Sequence, residues 1–266
     1  MIRDITIGQY YQTDSVIHRL DPRVKLAGTL LYIVTLFFIK NIFGYLLATL
    51  ALGMVIKLSK VPFAFIIRGM RAIAFLLGIT VVFNMFLTPG TPIFSFWIFT
   101  LTFEGLRTAL FMGWRMVLLI ISASLMTLTT TPNNLTDGME KALKPLNKIG
   151  IPVHEISMMM SIALRFIPIL LEETDKIMKA QIARGADFES GNIIQKAKAM
   201  VPLLVPLFIS AFRRANDLAM AMESRCYRGG EGRTKMKPLV YTKADKMGYL
   251  YILLFMVITI FVGRFF

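Results

Sequence analysis

Apolar residues along this chain fall into two patterns, long continuous runs and stripes at helical spacing. The first run extends from Leu26 to Ile56 and is broken by polar charge and amide only at Lys40 and Asn41. Further runs cover Ala72 to Leu87, Leu106 to Leu128 and Met247 to Val262. A helix crosses the hydrocarbon core with about 20 apolar residues, in a range of roughly 17 to 25. The last three runs therefore predict one crossing each. The first predicts either two short helices joined at Lys40-Asn41 or one long tilted helix.

Charge arbitrates between these. Lys and Arg accumulate on cytoplasmic loops. Arg3, Arg19, Arg23 and Lys25 precede the first run and place the N-terminus inside. A single crossing would leave Lys57, Lys60, Arg68 and Arg71 outside, whereas two crossings keep them inside. Five spans follow, with Lys40, Arg107 and Arg264 at the outer face and Arg115 within the fourth span. An arginine inside a span is a functional-site hypothesis by default; snorkelling or a bond to a neighbouring helix is its plainer use. The stretch "FSFWIFTLTF", residues 94–103, alternates in part. It predicts a small hairpin or an interfacial segment, with Trp97 in the aromatic belt.

The segment 129–246 is too polar to span throughout and too apolar to be a disordered tail. Turn and cap residues Pro132, Asn133 and Asn134 precede a helical pattern from about Leu135, and "KPLNKIGIPVHE" reads as a loop. Ile156, Met160, Ala163, Ile167, Leu170 and Ile177 then recur at helical spacing. They predict a helix from near Pro152 toward Arg184, kinked at Pro168. After "ESGN", a second stripe comprises Leu204, Phe208, Ala211, Ala215, Leu218 and Met222, with Pro202 and Pro206 interrupting its first turns. It should stop between Arg225 and Gly229. Residues 1–128 thus read as a membrane region of about four spans, 129–246 as a cytoplasmic helical module and 247–266 as a C-terminal span. Both long amphipathic helices end at an arginine between small residues. The stripes can pack on each other or on partner helices.

Composition narrows the class. With 56% hydrophobic residues and a mean hydropathy of +0.63, the chain is too apolar for an ordinary soluble domain of 266 residues. A net charge of +14 suits nucleic acid or the cytoplasmic side of a membrane, and the apolar content decides for the membrane. One cysteine, Cys226, excludes an intramolecular disulfide and a four-thiolate zinc site. The first residues have no apolar core, so a cleaved signal peptide is not expected. Methionine, at 18 residues, is abundant and adapts to differently shaped partners.

No P-loop, H-E-x-x-H or G-x-S-x-G pattern occurs. His18 and His154 have no second ligand at metal spacing, and His154 beside Glu155 reads as a helix N-terminal pair. The spans hold almost no ionisable residues, whereas a secondary transporter usually shows polar or broken spans near the midplane. The chain reads as a non-enzymatic membrane part whose energy source and substrate site lie elsewhere. A self-contained secondary transporter, or a membrane-anchored binder of anionic lipid or nucleic acid, remains open on the residues alone.

Four stretches in order resemble one family: "SVIHRLDPRVKL" at 15–26, "PNNLTDGMEKALKPL" at 132–146, "ALRFIPILLEETDKIMKAQIARGADF" at 163–188 and "PLLVPLFISAFRRANDLAMAMESRCYRGGEGRT" at 202–234. The chain resembles the transmembrane T component of energy-coupling factor (ECF) transporters, ATP-powered importers of vitamins and other micronutrients. The resemblance implies an all-α polytopic fold of about five spans with a cytoplasmic module of long coupling helices, in the cell membrane. It implies that Ala183, Arg184 and Gly185, and Ser224, Arg225 and Cys226, each dock on one of two ABC-type ATPase subunits. Ser224 stands where the family usually has alanine, and Cys226 where glycine is frequent. A separate S component, one or several interchangeable ones, would bind the substrate and meet the stripes at Met159, Met160, Ala163, Ile167, Leu204, Phe208 and Ala211. No cofactor would reside in this chain, since ATP and Mg belong to the ATPases. Its other partner would be the lipid bilayer, and nucleic acid would not be one.

Overall fold

Proline, capping side chains and two polar turn residues punctuate the greasy N-terminal half into helices. In the computed structural model, residues 10–96, 99–186, 188, 192–230, 236 and 238–265 are described. Arg3 and Trp97 lie outside them. A short helix α1 (Val16–Arg19) is capped by Ser15, whose hydroxyl accepts from His18 N. Then α2 (Pro22–Phe38) starts with Pro22 in the first turn, and the Asp21 carboxylate accepts from Arg23 N. Proline suits that position because its missing N–H would have had no helical partner. The chain leaves the helix at Ile39 and Lys40 and re-enters it as α3 (Ile42–Ser59). The long apolar run is therefore two helices, as the charge argument required.

The next pair is longer: α4 (Phe63–Leu87) has 25 residues and α5 (Phe103–Thr129) has 27. Between them β1 (Pro92–Phe96) pairs antiparallel with β2 (Phe99–Thr102), bringing Phe96 opposite Phe99 and Ser95 opposite Thr100. This hairpin realises one of the two forms expected for residues 94–103 and leaves the architecture all-α. After α6 (Pro132–Leu143), a 3₁₀ turn (Lys144–Ile149) leads to α7 (Val153–Ala183) and α8 (Ile193–Ser224); α9 (Lys243–Phe265) is last.

Two units are distinguishable, Gly8–Met139 with Leu239–Phe266, and Glu140–Pro238. In the first, α2, α3, α5 and α9 pack around Leu36, Tyr45, Ala48, Leu118, Leu125 and Phe255, all buried. Close approach of α2 to α9 depends on small residues. A Cβ on Gly28 would lie 2.8 Å from Ile252 Cδ1, and one on Gly248 would lie 3.0 Å from Val24 Cγ1. Small residues serve this purpose between helices in lipid, where no hydrophobic force drives helices together.

A second tie joins these two helices at their N-termini. Asp245, only 1% exposed, accepts from Asp21 N at 2.7 Å and from Thr242 N and Oγ1 at 2.7 Å each. The Asp21 carboxylate in turn takes two bonds from Arg23, whose guanidinium lies 3.8 Å over the Tyr241 ring.

Four helices are long and apolar enough to cross a membrane by length and composition, α3, α5, α7 and the Lys243–Gly263 part of α9. Ile73–Leu87 of α4 is a shorter apolar segment. The five spans expected from the apolar runs include α2 and α4 and leave out α7. At 17 residues α2 is about 26 Å long, just short of a typical hydrocarbon core of about 30 Å. The apolar residues of α7 are concentrated before Glu172, and its second half carries Glu172, Glu173, Asp175, Lys176 and Lys179. The molecule is a multi-pass membrane protein on either count.

Candidate functional site

The second unit is built on α7 and α8, which pack on each other. Both run unbroken through internal prolines, Pro168 in α7 and Pro202 with Pro206 in α8. At the start of α8, Asn192 and Gln195 form a reciprocal capping box. Arg214 reaches Glu173 across the pair at 3.4 Å, a long and half-exposed contact that contributes little. At the start of α7, His154 Nδ1 lies 2.9 Å from Glu140 Oε1. That carboxylate partner is on α6, while His154 and Glu155 stand together in the first turn of α7, the helix N-terminal pair expected of them.

The two helix ends are built alike. Arg184 is the C-cap of α7; Gly185 N donates to Ile182 O at 2.9 Å and Ala186 N to Gln181 O at 3.0 Å. Arg225 is the C-cap of α8; Cys226 N donates to Glu223 O at 2.8 Å and Tyr227 N to Met222 O at 3.0 Å. Each is the paired five-to-two and six-to-one arrangement of a Schellman motif, which satisfies the last helical carbonyls from the backbone. The residue after each arginine is left-handed, with φ of 87° at Gly185 and 56° at Cys226. Glycine takes that conformation freely, whereas a side chain there costs roughly 1–2 kcal/mol. The equivalence of the ends was half visible in the sequence, since Gly185 signals the turn and Cys226 does not.

Ala183, Arg184, Gly185, Ser224, Arg225 and Cys226 are all exposed. Among the described residues, neither the Arg184 nor the Arg225 guanidinium makes a hydrogen bond or an ion pair. Simple self-capping would have aimed those side chains at their own carbonyls, which the backbone already serves. What remains is two cationic forks with small neighbours, each able to take a carboxylate or carbonyl pair in bidentate fashion.

The stripe residues are also open. Met159, Met160, Ala163, Ile167, Leu204 and Phe208 are exposed, and Ala211 is half-buried. Phe208 is 60% and Met159 is 58% exposed. On α7 and α8 only Val153 and Ser157 are buried outright among the described residues. Packing of α7 on α8 thus leaves most of both stripes uncovered. An apolar surface of this extent marks contact with a partner or with lipid. Among the described residues no cluster of His, Cys, Asp and Glu could hold a metal ion.

Apolar spanning helices, together with two matched cationic helix ends on α7 and α8, define a polytopic membrane protein. Residues 13–236 match the CbiQ family, described as cobalt transport protein. The energy-coupling factor transporter transmembrane protein EcfT of Clostridium kluyveri is 57% identical, over 98% of this chain and 97% of that protein. The EcfT proteins of Thermosediminibacter oceani and Bacillus subtilis are 53% and 49% identical, over 94% and 92% of this chain and 94% and 93% of theirs. The chain belongs to this family, the transmembrane EcfT components of ECF transporters.

Proposed function

We infer that this chain is the membrane scaffold and coupling subunit of an ATP-driven importer of vitamins or other micronutrients. Two ABC-type ATPases bind and hydrolyse the ATP with its Mg; this chain holds no cofactor and performs no catalysis. Each ATPase receives one helix end, Ala183-Arg184-Gly185 or Ser224-Arg225-Cys226. A substrate-binding S component rests on the exposed stripes at Met159, Met160, Ala163, Ile167, Leu204, Phe208 and Ala211. Residues 129–246 and the N-terminus lie on the cytoplasmic side of the cell membrane, as their basic residues favour. Closure of the ATPases moves the two helix ends, and α7 and α8 act as levers that carry the movement to the S component.

The observation that supports this reading best is the pair of identical Schellman ends, each presenting an arginine without a described partner. Two equivalent plugs suit two ATPase sockets. The test is charge reversal, with Arg184→Glu, Arg225→Glu and the double change expressed alongside the partner subunits. Losing a desolvated charged contact costs on the order of 2–5 kcal/mol. One remaining contact retains part of the complex through effective concentration. The double variant should therefore lose ATPase co-purification, and uptake should fall in either single variant. Lys198→Glu, at an exposed residue away from both ends, should behave as the parent. A double variant that assembles and transports normally would sink the docking assignment.

A further inference from the structure

Glu104, Arg107, Thr108, Phe111 and Arg115 share one face of α5, at spacings of three, one, three and four. That face borders a cavity of about 560 Å³ whose floor is Ile39, Lys40 and Tyr45, from the end of α2 and the start of α3. Arg115 joins floor to wall. Its Nε donates to Tyr45 Oη at 2.9 Å, and one Nη reaches Ile39 O at 3.4 Å.

These bonds fix the depth of the floor. Arg115 is twelve positions after Phe103, the first residue of α5, so the α2–α3 connection meets α5 about 18 Å along its axis. At the opposite end Lys25 Nζ donates to Thr129 O at 2.9 Å. The length that α2 shares with α5 thus runs from Lys25 to Ile39, about 21 Å. A hydrocarbon core is about 30 Å thick. With Lys25 near the inner boundary, the Lys40-Asn41 turn therefore ends about 9 Å short of the far boundary, in the outer part of the core. Arg115, level with this turn, lies below the headgroups but can snorkel toward them, and the first three turns of α5 rise past it as a wall. The arginine expected inside the fourth span is at the foot of a step.

Charge in the step is unbalanced. Lys40, Arg107 and Arg115 line it with one carboxylate, Glu104. Glu104 is turned to the hairpin connection, accepting from Thr91 N at 2.7 Å and from Thr91 Oγ1 at 3.0 Å. Among the described residues none of the three cations has an ion pair. Arg115 uses two of its five N–H donors on Tyr45 and Ile39, leaving three. Beside the step, Phe37 is 59% and Phe38 is 74% exposed, offering an apolar surface.

We propose that this step binds an anionic phospholipid, with the headgroup phosphate held by Lys40, Arg107 and Arg115 and the acyl chains against Phe37 and Phe38. A position in the outer part of the membrane, with cations able to snorkel to a headgroup and exposed aromatics beside them, favours a lipid over a free anion, which would make no use of the apolar border. The proposal does not depend on how the ATPases dock.

Native mass spectrometry of the purified full chain in neutral detergent tests it, with dioleoylphosphatidylglycerol as the probe. The informative variant is Lys40→Gln with Arg107→Gln. Lys40 makes no described contact, and Arg107 makes only a cation–π contact, with Phe111, so the fold does not rest on either. Each cation removed from a lipid surface weakens binding about fivefold, so the pair should weaken it about 30-fold. The parent should retain one phosphatidylglycerol, and dioleoylphosphatidylcholine should not compete. Lys57→Gln with Lys60→Gln, the same charge change at the other end of α3, should bind like the parent. Equal retention by the Lys40/Arg107 variant would overturn the proposal. So would equal competition by phosphatidylcholine, which indicates an apolar groove without headgroup selection, or displacement by inorganic phosphate, which indicates a small-anion site.

Discussion

Replacing Asp245 by alanine tests the tie between α2 and α9. Its carboxylate takes three short bonds, from Asp21 N, Thr242 N and Thr242 Oγ1. Thr242 is exposed and can turn its donors to water, but Asp21 is buried at 6% exposure. The variant therefore leaves one buried N–H unsatisfied, at about 1–3 kcal/mol. It also removes the acceptor for Thr242 N and Oγ1 just before α9, at about 1 kcal/mol. Together these predict a loss of about 2–4 kcal/mol. For a chain of this size that lowers the apparent Tm in detergent by roughly 5–12 °C. Asp245→Asn should fall between parent and alanine, because its amide oxygen can still accept from Asp21 N while its NH₂ meets the Thr242 donors. Thermal unfolding of the three proteins, followed by intrinsic fluorescence at fixed detergent and lipid, reads the series. An Asp245→Ala variant melting within 2 °C of the parent would show that water or a shift of α9 replaces these bonds at little cost, and the argument from burial would fail.

His18 gives a pH test. Burial holds its imidazole below the ordinary value of 6.5, opposed by a bond to Tyr11 O and reinforced by nearby Lys25. The unfolded chain therefore takes a proton first, so this contribution is complete above about pH 6.5 and is lost as pH falls toward the lower folded value. His18→Gln should flatten the acid limb of a Tm-versus-pH curve, and an unchanged limb would count against the assignment. Cys226→Gly should raise stability by about 1 kcal/mol through relief of its left-handed backbone, measured as apparent Tm; no gain would mean that another contact supports the strained residue. With 129–246 cytoplasmic, an impermeant thiol reagent should label the exposed Cys226 in permeabilised cells and leave it untouched in intact ones. Ready labelling from outside would reverse the topology.

Local signals carried much of this fold. The stripe through Ile156 and Ile177 and the break before Gly185 predict a helix from near Pro152 toward Arg184, and α7 is Val153–Ala183. The second stop, expected between Arg225 and Gly229, falls at the early edge of that range with Arg225 as C-cap, because the turn forms at Cys226, a residue that rarely adopts a left-handed backbone. α6 begins at Pro132 rather than about Leu135, since proline fits a first helical turn and Thr131 caps Asn134 N. The Asp21–Asp245 bond joins residues 224 positions apart, and no periodicity reports such a pairing. Arg115 was conspicuous as a charge in an apolar run, but its depth depends on a bond to Tyr45 and on the short reach of α2.

The turns at the two helix ends are closed by main-chain bonds, to which Ser224 Oγ adds one on Ala221 O, and neither arginine side chain takes part; that separates recognition from foldability. A side chain at position 184 or 225 can change sign, length or hydrogen-bonding pattern while the turn beneath it stays intact. With the docking proposed above, mutational drift at these sites is filtered by the ATPase partner and hardly at all by the stability of this chain. Such a position can be rewritten together with its socket. An acidic residue installed at one end and a basic groove on its mate would yield an orthogonal pair, and installing it at one end only would give the two otherwise equivalent sockets distinct addresses.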